Sequence, residues 1–157
     1  MRKSSKRKFS LKTVILIIIV LMAVIFIYMN SMATAMTSTQ QSYIVLDFIY
    51  PFIERLGLEN INVIFYVRKS AHILEFAFLG FCVSLVINHI SDKKYKCISL
   101  GLPICMFIAL IDETIQLFSE GRAGLVSDIW IDTFGSLIGI IVFFICLYIY
   151  KLMFKKR

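Results

Sequence analysis

Charge is what this chain has least of. Asp, Glu, Lys and Arg make up 17% of its 157 residues, against 59% apolar. A soluble globule of this size needs a more polar surface, so an integral membrane protein is expected instead. Cysteine is also sparse. Cys82, Cys97, Cys105 and Cys146 form no CxxC pair and sit in or beside apolar runs. That excludes a disulfide or zinc framework and leaves small apolar packing residues. Acids are fewer than bases, giving a net charge of +7. The basic clusters lack interleaved aromatics, so no nucleic acid partner is expected. There is no internal repeat, which argues against a transporter built from four spans. No nucleophile motif is present, so no particular reaction is indicated.

What is present is long apolar runs with basic flanks. Arg2, Lys3, Lys6, Arg7, Lys8 and Lys12 precede the first run, Thr13 to Met29, which is just long enough to span. Ala33-Thr34-Ala35 has the form of a signal-peptide cleavage site, but the run is longer than a signal-peptide core. A retained anchor is therefore expected. Residues 30–42 are polar and read as a linker. From Tyr43, Ile44, Val45, Phe48, Ile49, Phe52, Ile53 and Leu56 recur at helical spacing. This predicts an amphipathic segment in the interface, broken at Pro51, or a helix packed on the bundle as a lid. Gly57 to Asn62 reads as a turn. Three further spans are expected over Ser70–Ile90, Cys97–Phe118 and Val126–Tyr150, with a Lys-rich loop at 91–96. The fold class is all-α: a four-helix transmembrane bundle plus the interfacial segment. The division expected is 1–42, tail, anchor and linker, and 43–157, the main domain.

Lysines and arginines set the topology. The positive-inside rule places the N-terminal tail, the 91–96 loop and the C-terminal Lys151, Lys155, Lys156 and Arg157 in the cytoplasm. The 30–69 region and the 119–127 loop then face outward. Arg68, Lys69 and Arg122 are basic residues on the wrong side for topology, which suggests another role.

The ionisable residues within spans fall in one layer. At about 1.5 Å rise per residue, Glu75 lies ~8 Å below the start of its span, and Asp112 and Asp132 ~9 Å from the outer ends of theirs. Lys69, His72 and Glu75 are spaced by three, Gln116 follows Asp112 and Glu113 by four and three, and Asp128 and Asp132 are four apart. Each set shares a helical face. Charges in a bilayer cost several kcal/mol, or about 2.5–3.5 on insertion scales, unless partnered or functional. One inward-pointing cluster at the extracytoplasmic end is the expected solution. Asp112 and Glu113 point about 100° apart, so one faces the cluster and the other is expected to bond Arg122 or a helix N-terminus. Arg122 suits a carboxylate or phosphate, or else pairs with Glu120 or Asp128. Ser127 or Asp128 could cap the last span. Gly135 and Gly139 extend the aspartate face as a GxxxG, predicting close helix packing.

The ordered set Lys69-x-x-His72-x-x-Glu75, Asp112-Glu113-x-x-Gln116, Gly121-Arg122, Asp128-x-x-x-Asp132 and Gly135-x-x-x-Gly139 resembles the VanZ-like family. These are small bacterial membrane proteins named after an accessory teicoplanin-resistance protein. The resemblance covers about residues 63–150. The family commonly has Asn where this chain has Asp132. The resemblance implies a plasma-membrane location and a part in envelope homeostasis or glycopeptide and lipoglycopeptide resistance, without a reaction. Candidate catalytic residues are His72, Glu75, Asp112, Glu113, Asp128 and Asp132. Candidate substrate-binding residues are Lys69, Gln116 and Arg122. Three readings stay open: an enzyme acting on an envelope lipid or lipid-linked precursor, a non-catalytic headgroup or envelope-protein binding module, and structural glue. No cofactor is predicted, although carboxylates with one histidine could hold a divalent metal.

Overall fold

The computed structural model describes residues 10–55, 62–91 and 93–154. The basic tail to residue 9, the expected turn around Gly57 and the last three residues lie outside them. Helix α1 (Leu11–Met32) starts where its apolar run does. Ser10 caps it: its Oγ accepts from Thr13 N at 3.4 Å, and Thr13 Oγ1 accepts from Ser10 N at 3.4 Å. This reciprocal box satisfies two backbone donors that a helix start leaves open. The helix runs past Met29 to Met32, so Asn30 and Ser31 are its last turn and not a linker.

After a two-residue connection, α2 (Ala35–Arg55) continues through Pro51 without a break. Thr34 Oγ1 accepts from Thr37 N at 3.2 Å and opens it. The α2 face turned to the bundle carries Ser38 and Ser42, both buried. Ile44, Phe48 and Phe52 point outward, with Phe48 81% exposed. The segment packs on the bundle through small residues, as the lid alternative has it, and keeps an apolar free face.

Helix α3 (Val63–Ile90) is capped by Asn62, whose Oδ1 accepts from Phe65 N at 3.3 Å. The third expected span is divided: α4 (Lys96–Ser99) is a single turn, and α5 (Gly101–Leu117) starts after Leu100. Pro103 falls in the first turn of α5, where its missing N–H is harmless, so the helix restarts there. Helix α6 (Val126–Phe154) completes an all-α fold. Among the described residues, four segments are long and apolar enough to cross a membrane: Leu11–Met32, Val63–Ile90, Lys96–Leu117 and Val126–Phe154. Their outward side chains, such as Phe26, Phe107 and Ile145, are exposed apolar groups that water would not tolerate as one continuous surface. They make this a multi-pass membrane protein.

The centre is the α3–α6 pair, with α1 and α5 laid against it. Phe76, Leu79, Ile140, Cys105 and Ala109 are buried in that centre. The cysteines are free thiols, three of them buried as packing residues. Glycine lets α3 and α6 touch backbone to backbone. A Cβ on Gly135 would sit 2.7 Å from the Ile73 carbonyl oxygen, and one on Gly139 would overlap that of Ala77. The four spans alternate in direction, as the contacts of Ser31 with Asp112 and of Lys69 with Asp128 show, so the ends of α1 and α5 and the starts of α3 and α6 gather at one end, which α2 covers.

Candidate functional site

Every sequence-predicted site residue lies at the α2 end. Asp112 is fully buried and held on both sides. Ser31 Oγ donates to its Oδ1 at 2.6 Å, and Gln116 Nε2 donates to its Oδ2 at 2.9 Å. The Gln116 amide also reaches Glu113 Oε1 at 3.3 Å and Ser31 Oγ at 3.4 Å. One amide thereby ties α1 to both acids of α5. The other Glu113 oxygen, Oε2, accepts from Leu125 N at 2.8 Å, immediately before α6. Both acids are buried, and the helix-N-terminus role falls to Glu113. With both oxygens bonded, Glu113 is a strut between α5 and α6.

Asp128 pairs with Lys69 across α6 and α3. Of the alternatives open for Arg122, a pair with Asp128 is thereby not the one formed. Ser127 Oγ lies 3.3 Å from Asp128 Oδ1, so it caps nothing here. Arg122 follows Gly121, whose φ of +72° makes the left-handed turn that presents it. Arg122 donates from an η nitrogen to the Ser31 carbonyl at 3.4 Å, and its Nε is buried without a partner. Among the described residues it has no carboxylate within ion-pairing distance. Burial, and then nearby Arg68, pull its pKa below the ordinary guanidinium value. Its position is braced by Ser119 Oγ, which donates to the same Ser31 carbonyl at 2.7 Å, and by Ala35 N, which donates to Glu120 O at 3.0 Å.

His72 and Asp132 form the middle. His72 Nδ1 lies 3.8 Å from Asp132 Oδ1, too far for a hydrogen bond. Neither Asp132 oxygen has a partner, although the side chain is 1% exposed. Glu75 accepts from Asn30 Nδ2 at 2.8 Å.

Two clefts open at this end. One, of about 110 Å³, lies under α2 and includes Asn30, Ser42, Arg68, His72, Glu75 and Arg122. The other, of about 200 Å³, includes Lys69, His72, Gln116, Arg122 and Asp128. His72, Arg68 and Arg122 line both. A third space, an apolar groove of about 490 Å³ between α1 and α3, has Glu75 as its one polar wall residue.

The sequence reading missed Asn30, Ser31 and Ser119, which brace Glu75, Asp112 and Arg122. A signal for Ser31 was there: Ala23, Ile27 and Ser31 are four apart, and all three are buried on one face of α1. Ser31→Ala is expected to lower stability by about 1–3 kcal/mol, because it removes the shortest bond to a buried carboxylate. The midpoint of thermal unfolding in detergent reads this, and an unchanged midpoint would show that Asp112 does not rely on Ser31.

The VanZ/LLP1 family matches residues 14–147, and the chain belongs to that family. The match takes in α1 as well as the three later spans. No curated protein and no solved structure matches the chain.

Proposed function

We propose that this VanZ/LLP1 protein binds an envelope lipid with an anionic headgroup at the outer leaflet, and through that contributes to envelope homeostasis or glycopeptide resistance. The observation that carries the reading is the position of Glu75. It borders the polar cleft on one side and the apolar groove on the other. An amphiphile needs that junction: chains in the groove, headgroup in the cleft. Arg68 and Arg122 line the cleft and supply the anion partners, and the free Arg122 Nε is a donor still to be used. Guanidinium forks match phosphate and carboxylate oxygens in pairs. Positive charge on the N-terminal tail, the 91–96 loop and the C-terminus supports cytoplasmic termini and an outward-facing α2 end in the plasma membrane.

The test uses purified protein and native mass spectrometry with three probes: polyprenyl phosphate, phosphatidylglycerol and a zwitterionic phospholipid. Wild type is expected to retain an anionic probe in preference to the zwitterionic one. Arg122→Ala should weaken that retention by about tenfold or more, as for loss of a hydrogen bond to a charged group. Equal retention of all three probes by wild type would refute the reading. In cells, Arg122→Ala at normal protein level should raise glycopeptide susceptibility to that of a deletion. A cysteine placed at Ala123 should be labelled from outside intact cells, and labelling only after lysis would reverse the orientation.

A further inference from the structure

We propose that His72, Asp112 and Asp132 bind a divalent transition cation of the Zn²⁺ or Mn²⁺ class. One ligand atom from each of the three lies within 4.8 Å of the others. Three different helices supply them: α3, α5 and α6. The observation that points to a ligand is Asp132. It is 1% exposed, and both of its oxygens lack any partner among the described residues. The buried Nδ1 of His72, which faces it, lacks one too. Buried polar atoms of a native site are bonded or coordinate something.

The spacing suits a shared ion. Ligand atoms at metal distances of about 2.0–2.2 Å stand roughly 3–3.5 Å apart. The His72–Asp132 pair at 3.8 Å is close to that, and the three ligand atoms lie within 4.8 Å of one another, so binding would draw the side chains together. The surroundings match as well. Asp112 is oriented by Ser31 and Gln116, the kind of outer partner that fixes a metal-binding carboxylate. The imidazole favours a transition ion over Ca²⁺ or Mg²⁺, which prefer all-oxygen sites. Three protein ligands leave a coordination position open. His72 lines both polar clefts, which gives the ion a way in.

The metal site shares His72 with the lipid cleft, yet its other two ligands lie outside that cleft, so metal and lipid binding can each fail alone. The experiment is elemental analysis of protein carrying a tag without histidine, extracted, incubated with ZnCl₂ or MnCl₂ and desalted. Wild type should hold about one equivalent of one of these metals. Asp132→Asn and His72→Gln, each eluting as a single symmetric peak, should lose most of it. Glu75→Gln and Arg122→Ala, which alter the lipid cleft, should keep it. Ser31→Ala should weaken metal affinity by about tenfold, as an outer-partner change does. Independently of any variant, EDTA should lower the unfolding midpoint of wild type and added metal should restore it. Less than about a tenth of an equivalent in well-folded wild type, or full retention in Asp132→Asn and His72→Gln alike, would overturn the proposal.

Discussion

Gly139→Leu is expected to abolish the folded bundle. The Cα of Gly139 lies so close to α3 that even a single added carbon overlaps the Ala77 carbonyl oxygen and comes within 2.9 Å of Phe81 N. Both are backbone atoms, so no rotamer change relieves the overlap and the helices must part. Overpacking in a core typically costs about 1–3 kcal/mol where side chains can move, so here the loss should exceed that range. The α3–α6 pair is the centre on which α1 and α5 pack, so its separation disperses the polar cluster too. The check is fluorescence-detected size-exclusion of detergent extracts: the monodisperse peak should disappear. Gly101→Ala is the control. Its added Cβ would meet only the side-chain ends of Ile87 and Val83, at 3.3 and 3.5 Å. Gly101 is the first residue of α5, where the interior gain of about 1 kcal/mol for Gly to Ala applies only in part, so that variant should stay close to wild-type stability. A normal peak for Gly139→Leu would mean that α3 and α6 do not pack as described.

The four spans were legible because an uninterrupted apolar run of bilayer length is too long for the core of a domain this small and fits a bilayer. The polar layer was legible for a related reason. Acids within a span are expensive, so Glu75, Asp112 and Asp132 announced themselves, and helical spacing placed them on shared faces. Partner choice was not legible. Lys69, and not Arg122, takes Asp128, because that pairing depends on how α3 and α6 rotate about their glycine contact. The bracing serines were hidden differently. Ser31 and Ser119 carry little hydropathy signal, and a Ser- and Thr-rich stretch after an apolar run looks like a linker whether or not it is helical. Pro51 misled in the opposite direction: proline in a helix costs about 3 kcal/mol, yet α2 continues through it. The break came instead at Leu100, where Gly101 and Pro103 are the signal within an otherwise apolar run.

Glu113 and Glu75 are both acids in the layer, and their variants should behave in opposite ways. Glu113 accepts from Leu125 N and from Gln116, and it is 4% exposed. Glu113→Ala strands Leu125 N and removes one of the three acceptors of the Gln116 amide. Bonds to a charged group are worth about 1.5–3 kcal/mol each, so the variant should lose on the order of 2–4 kcal/mol. That is enough to deplete a marginally stable protein in the membrane. Glu113→Gln keeps an oxygen for Leu125 N and should recover most of the level. In both variants the lipid retained per folded molecule should stay at the wild-type value, because the residue braces α5 against α6 and lines neither cleft. Glu75 has one bond, from Asn30, and borders both the polar cleft and the apolar groove. Glu75→Gln should leave protein level and unfolding midpoint near wild type while changing which lipid is retained. The quantities to compare are membrane protein level, unfolding midpoint and lipid retained per molecule, measured on the same preparations. Should Glu113→Gln be fully folded yet fail to retain lipid, Glu113 would be a ligand-facing acid and not a strut, and the division of labour between the two acids would be reversed.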